Sequence, residues 1–308
     1  MLVRVSTMSL AFIFLLVLSC TSSDNQNFDL DKYNASIKEW QNKRLESLKK
    51  KDGWLSLAGL YWLKKGENTF GTNPSNDIVF PEGKAPDFMG KFILRDERVS
   101  ISINSDVNVL SGDSLIKTMN LKSDLEDNTT VLTHGTLSWF VIKRDTNLAI
   151  RLRDSENPNF DKFKGIETFP INPAWRLKAE FMKYDPPKEI SIPTIMGTTN
   201  RDSSPGVIIF KIGDKKYKLD TTGKYDSERL WIIFSDGTSG IETYGAGRYL
   251  YIDNPLLHEN TYIDFNRAYN PPCAFTDFAT CPFPPEQNKL DMRITAGEKY
   301  HSPDPIND

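Results

Sequence analysis

The chain has 308 residues, 39% of them hydrophobic and 26% charged, with a formal net charge of −3 at neutral pH. That composition fits one large or two smaller globular domains, and it lacks the basic excess expected of a nucleic-acid partner. Aromatic residues at 11% are ample for a substantial core.

The first 19 residues read as a signal peptide. Arg4 precedes an apolar run from Leu10 to Leu18 that is too short to span a bilayer and stops at Ser19-Cys20. Val17-Leu18-Ser19-Cys20 resembles the bacterial lipobox. The resemblance implies cleavage before Cys20 and palmitate-type acylation of its sulfur and amine, so Cys20 is the expected link to a bacterial membrane. Several acyl chains anchor stably where one does not. Residues 21–27 are then a polar tether, and the rest of this expected lipoprotein works in the cell envelope, outside the cytoplasm.

Leu30, Tyr33, Ile37, Trp40, Leu45 and Leu48 recur at helical spacing, with Asp29 or Asp31 placed to cap and Lys49-Lys50-Lys51 favourable at the far end. Glu39 and Glu46 mix with lysines on the polar face, which suits a helix docked on protein rather than lying on lipid. Gly53 is expected to stop it.

From Trp54 onward the period becomes that of strands. Residues 92–94 and 99–103 flank an Asp96-Glu97 turn; residues 136–143 and 148–153 flank Asp145-Thr146-Asn147; residues 207–212 and 216–219 flank Gly213-Asp214. Further strands fall at residues 175–181, 230–234, 248–252 and 262–265. Many short strands with almost no helical period after residue 50 predict a mainly β fold: two packed β lobes, sandwich or barrel-like, preceded by one N-terminal amphipathic helix. Polar, aperiodic residues near 121–130 divide the chain into an anchored tether and helix (20–52), an N-terminal lobe (53–125) and a C-terminal lobe (126–300). Pro186-Pro187 marks a weaker boundary.

Gly66 to Pro81 resembles the opening hairpin of a forkhead-associated domain. Thr72 stands after Gly71 where that family needs an arginine, so the resemblance implies turn structure without phosphothreonine binding. Arg151 and Arg153 project from one face of a strand and could hold a carboxylate or phosphate, or be neutralised by acids on a neighbouring strand. Residues 234–248 hold four glycines and several hydroxyls, yet Ser239 is not in a nucleophile elbow and Gly245-Ala246-Gly247 has no dinucleotide spacing. No lysine falls between Lys224 and Lys289, whereas Arg229, Arg248 and Arg267 do, as expected where cationic groups are fixed and partly buried.

The stretch from Thr261 to Asn288 is the least ordinary, with Asp264, Asn266, Arg267 and Asn270 followed by a proline-rich loop holding Cys273 and Cys281. Outside the cytoplasm a disulfide is the default for these two cysteines. A thiolate nucleophile would need a base from His134, His258 or His301, none in a recognisable motif; no zinc motif occurs, and no metal or cofactor is expected.

Gly53-Trp54-Leu55, Gly66 to Pro81, Ile150 to Asp154, Phe169-Pro170, Gly240 to Leu250, Asp264 to Phe275 and Ala279 to Pro282 together resemble the bacterial domain of unknown function 1684 family. The resemblance implies no activity, but it implies that these loops are the family's own features. The expectation is a pocket in the C-terminal lobe for a small anionic or polyhydroxylated ligand, formed by Arg151, Arg153, Arg248, Asp264, Asn266, Arg267 and Asn270. Asp264 or Glu242 is the candidate for activating water if the ligand is hydrolysed. The alternative is a non-catalytic structural or interaction protein of the envelope, in which the same loops form a rigid cap.

Overall fold

The structure, a computed structural model, describes residues 28–258 and 260–300, so the signal peptide, Cys20 and the tether at 21–27 lie outside the described residues. Helix α1 (Leu30–Lys49) begins with Asp29 as N-cap, its carboxylate accepting from the Lys32 amide at 3.0 Å. Its apolar stripe buries Tyr33, Ile37 and Leu48 against protein. Gly53 follows where a Cβ would lie 2.6 Å from the carbonyl oxygens of Ser47 and Leu48, so only glycine lets the chain turn back this tightly. Among the described residues no helix is long and apolar enough to cross a membrane.

Eleven strands follow: β1 (Leu57–Trp62), β2 (Gly66–Gly71), β3 (Ile78–Val79), β4 (Gly90–Arg95), β5 (Arg98–Ile103), β6 (Val109–Ser111), β7 (Ser114–Ile116), β8 (Thr118–Leu121), β9 (Val131–His134), β10 (Leu137–Arg144) and β11 (Asn147–Asp154). They form a six-stranded sheet, β1-β11-β10-β9-β6-β7, and a five-stranded sheet, β3-β2-β4-β5-β8. Both sheets feed one core, in which Phe70, Phe80, Phe92 and Trp139 meet ring to ring. The Asp96-Glu97 turn has positive φ at both residues, the geometry that a two-residue hairpin needs.

The second unit comprises β12 (Arg176–Pro193), β13 (Thr199–Ile212), β14 (Lys215–Asp220), β15 (Arg229–Phe234), β16 (Arg248–Asp253) and β17 (Tyr262–Asp264). A four-stranded sheet, β14-β13-β12-β17, and the β15-β16 pair share a core that includes Ile208, Phe210, Leu230, Phe234, Ile263 and Phe265. On β15 and β16 the alternation sends Leu230, Ile232, Leu250 and Ile252 into this core. The opposite face presents Trp231 beside Tyr251 and Ile233 beside Tyr249.

The mainly β fold with one N-terminal helix is as expected, and three details differ. The break between units falls after Asp154 rather than at 125, because β9 to β11 pair with β1 and β6 and bury Trp139 and Ile150 in the first core. Pro186-Pro187 is no boundary; β12 runs through it with a shift of register between Lys183 and Lys188, the bulge in which a residue without an N–H is tolerated. Gly66 to Pro81 is no hairpin either: β2 and β3 run parallel, and Asn76 ties the loop between them by donating to the Asn73 and Asp87 carbonyls.

Candidate functional site

The seven residues expected to form one pocket are distributed over five places. Arg248 is fully buried, donating to Asp236 at 2.7 Å, to the Ile294 carbonyl at 3.0 Å and to the Ala296 carbonyl. It fastens the glycine-rich loop to the C-terminal segment. Gly247 before it has φ +86°, and a Cβ there would lie 2.5 Å from the Phe234 carbonyl oxygen. Asp264, Asn266 and Arg267 form a socket for α1: the Tyr33 hydroxyl donates to Asp264 at 3.0 Å, Asn266 donates to the Tyr33 hydroxyl at 2.9 Å, and Arg267 reaches Ser36 at 3.4 Å. Burial, with the Asp264 carboxylate next in importance, pushes the Tyr33 phenol well above its ordinary value. Asn270 belongs to a further network, donating its amide N–H to Glu298 at 2.7 Å and its side chain to the Lys299 carbonyl at 2.9 Å.

Arg153 lies over the Phe140 ring at 4.8 Å, on the first unit. Glu242 pairs with Arg293 near the surface, and Asp264 is occupied by Tyr33 and Asn266. Neither carboxylate is arranged to activate a water against a bound ligand. The expected convergence therefore fails for a definable reason: the polar side chains of the signature loop hold a helix in place.

Of the seven, only Arg151 lines a cleft of about 540 Å³ that lies where α1 and the two β units meet. Helix α1 contributes Trp40, Arg44 and Ser47; the first unit contributes Arg144 and Arg151, with Trp54 just ahead of β1. The second unit contributes Arg229, Trp231, Tyr249 and Tyr251 from β15 and β16, and Tyr269 and Thr280 from the loop beyond β17. None of its lining residues is Asp, Glu or His.

The rings form a connected surface. Trp231 and Tyr251 are near parallel at 24°, Tyr251 and Tyr269 at 12°, and Tyr249 stands edge-on to both Trp231 and Tyr269. Guanidinium groups cover parts of it, Arg229 at 4.8 Å over Tyr251 and Arg44 at 5.0 Å over Tyr269. Burial, with Tyr251 next in importance, pushes the Tyr269 phenol far above its usual range, so it acts as a neutral hydroxyl. Opposite, Arg144 pairs with Asp124 at 2.7 Å and donates to Thr280 at 3.0 Å. Arg151 is 4% exposed, sits 5.8 Å from the Trp54 ring and reaches Thr280 at 3.4 Å. Burial first, then the charges of Arg144 and Arg153, push its pKa down to about 10.

A disulfide joins Cys273 to Cys281, and Cys281 is itself in the cleft wall next to Thr280. Replacing both cysteines with serine is expected to lower the urea midpoint by an amount equivalent to about 2 kcal/mol, since the link limits the unfolded chain. Reductant should then lower the midpoint of the wild type and leave that of the variant unchanged. Equal sensitivity of the two proteins would contradict a stabilising role for the link.

Nine of the sixteen lining residues, Trp54, Tyr249 and Tyr269 among them, lie in the segments that carry the family resemblance, but of all the lining residues only Arg151 was expected at a ligand. The available signal was the alternation on β15 and β16, where Trp231, Tyr249 and Tyr251 place rings on the face opposite the core residues. The lysine-free interval pointed the right way as well: Arg229 lines the cleft, Arg248 is the buried clamp and Arg267 is part of the helix socket. Among the described residues, no three His, Cys, Asp or Glu side chains cluster as a metal site.

The molecule is thus a two-unit β protein with a docked N-terminal helix and a cationic, ring-lined cleft at their junction. Residues 161–299 of the chain match the model of the family described as Protein of unknown function (DUF1684). Within the matched segment lie β12 to β17, the helix socket, the ring surface and the disulfide loop; Trp54, Arg144 and Arg151 precede it. The chain is also similar to the solution NMR structure of an uncharacterized protein of Haloarcula marismortui, at 29% identity over 45% of this chain and 78% of that one, with a TM-score of 0.37. No curated protein matches the chain.

Proposed function

We propose that this chain is a membrane-tethered, extracytoplasmic binding protein that holds a small anionic or polyhydroxylated ligand in the cleft between α1 and the two β units. The observation that carries this reading is the make-up of the wall: six aromatic rings and four guanidiniums converge from separate parts of the chain, with no carboxylate or imidazole among them. Rings and fixed donors are the elements of a ligand site, and their volume lies within the usual range for small-molecule pockets. An acid, a base and an activated nucleophile, which hydrolysis would require, are not present among the lining residues.

The second reading, a structural or interaction protein of the envelope, is favoured by the way Asp264, Asn266 and Asn270 are consumed in internal contacts. Tryptophan fluorescence titration against a panel of neutral and acidic small molecules distinguishes the two. Saturable quenching that disappears in Trp231→Ala supports the binding reading; a panel that moves neither the fluorescence nor the unfolding midpoint supports the structural one. The tether rests on the lipobox resemblance at Val17 to Cys20. Cys20→Ala should abolish acylation and release the chain from the membrane fraction or leave it unprocessed, and unchanged fractionation would count against it.

A further inference from the structure

We infer that the ligand is an acidic sugar: a hydroxylated ring bearing one carboxylate or phosphate, with its anionic group at Arg151, Arg144 and Thr280 and its ring against Trp231, Tyr251 and Tyr269. This rests on the cleft being a ligand site and names the ligand's class.

The charges of the wall are unequally balanced. Arg144 has Asp124 at 2.7 Å, and Arg44 has Glu298 at 3.1 Å. Arg229 is exposed at the rim, where water screens it. Arg151 alone is both buried and without an ion pair: it is 4% exposed, its hydrogen bond to Thr280 is long at 3.4 Å, and its Nε atom has no partner. A buried cation is costly unless it is paired, and an anion entering the cleft supplies the missing partner.

Thr280 strengthens the same end. Its hydroxyl oxygen accepts from Arg144 Nε at 3.0 Å and lies 3.4 Å from Arg151 Nη2, which leaves its own O–H free to donate. An oxyanion placed there meets two guanidiniums and one hydroxyl donor, a set that suits a carboxylate or a phosphate.

The other end calls for a ring with hydroxyl groups. Near-parallel Trp231, Tyr251 and Tyr269 offer apolar faces. The buried Trp231 indole N–H approaches the Tyr269 hydroxyl without making a hydrogen bond of ordinary geometry, and Tyr251 is 43% exposed. An acyl chain would leave these donors unanswered, whereas a sugar ring presents a C–H face to the rings and hydroxyls to their edges. A cleft of about 540 Å³ accommodates one or two such rings.

The test is calorimetric titration of the full-length chain with galacturonate, glucose 6-phosphate, glucose, acetate and inorganic phosphate. Either or both of the first two should bind at least ten-fold more tightly than glucose, acetate or phosphate, and which one binds identifies the anionic group. Arg151→Met should abolish the preference for acidic over neutral sugar and leave the unfolding midpoint unchanged or raised, because the removed charge is unpaired without ligand. Trp231→Ala should weaken acidic and neutral sugars alike. If Arg151→Met does not fold, Thr280→Val carries the test, with a reduced acidic preference expected and an unchanged one overturning the inference. Equal affinity for glucose and the acidic sugars, or binding of neither, also overturns it. A non-sugar ligand that quenches Trp231 would do the same while leaving the cleft's binding role intact.

Discussion

Replacing Arg248 with methionine should cost about 3 to 5 kcal/mol of stability, the range for removing one partner of a buried ion pair. Arg248 and Asp236 side chains are both 0% exposed and meet at 2.7 Å. Asp236 also accepts from the Thr238 amide at 2.8 Å, the Thr238 hydroxyl at 2.6 Å and the Ile294 amide at 3.2 Å. Without the guanidinium, a carboxylate stays buried among these donors, and the carbonyls of Ile294 and Ala296 lose theirs. Burial already pulls Arg248 below its ordinary pKa despite Asp236, which shows how much the pair depends on its attraction. Chemical denaturation should show the loss as a lower midpoint, and Arg248→Met with Asp236→Asn should recover part of it. The asparagine removes the stranded charge and keeps an acceptor for Thr238 and Ile294. A midpoint within experimental error of wild type for the single variant would refute the clamp.

Arg44→Met should produce a deficit that grows with pH. Arg44 donates to Glu298 at 3.1 Å and to the Asn270 carbonyl at 2.9 Å, and Glu298 is 1% exposed. Burial holds the Glu298 carboxyl above its usual pKa, opposed first by the charge of Arg44. Removing Arg44 raises it further. A carboxyl whose folded-state pKa exceeds its unfolded value contributes stability that is present below the unfolded value, about 4.3, and is lost as pH rises through the folded one. The variant should therefore approach wild type in acid and fall short by about 3 to 5 kcal/mol once Glu298 must ionise without a partner. Urea unfolding at several pH values measures this, and adding Glu298→Gln should remove the extra pH dependence. A deficit independent of pH would show that Arg44 acts through its contacts with Tyr269 and Phe275 instead.

The two variants probe different attachments. Arg248 fastens the glycine-rich loop within the second unit, while Arg44 fastens α1 across the socket and also lines the cleft. Loss of Arg44 is thus expected to weaken ligand binding, since Trp40 and Ser47 depend on the same helix for their positions. The Arg267→Lys change is a contrasting case. Its side chain is 39% exposed and its contacts are long, 3.8 Å to Asp264 and 3.4 Å to Ser36, so it should be nearly silent in stability.

Local periodicity determined the helix from Leu30 to Lys49 and the hairpins at 92–103, 136–153 and 207–219, because a helical stripe or a two-residue alternation is written in neighbouring residues; the short strands β6 to β9 carried no such pattern. The unusual character of Asp264 to Cys281 was legible for the same reason: proline, cysteine and arginine usage is a local property. The role of that stretch was not. Whether Asp264 and Asn266 face a ligand or Tyr33 depends on a partner more than 200 positions away, and no spacing in the chain encodes such a contact. The boundary near 125 was misplaced likewise, since a polar loop resembles a linker until β10 and β11 are seen to pair back onto β1 and β9. Which residues share the cleft was decided by tertiary structure. Arg151 was legible as a cation that could hold an anion, whereas Trp231, Thr280 and Trp40 stood only as members of a strand, a loop and a helix stripe. Packing of the helix and two β units brought them to one wall, and burial without an ion pair made Arg151 distinct from the other arginines there.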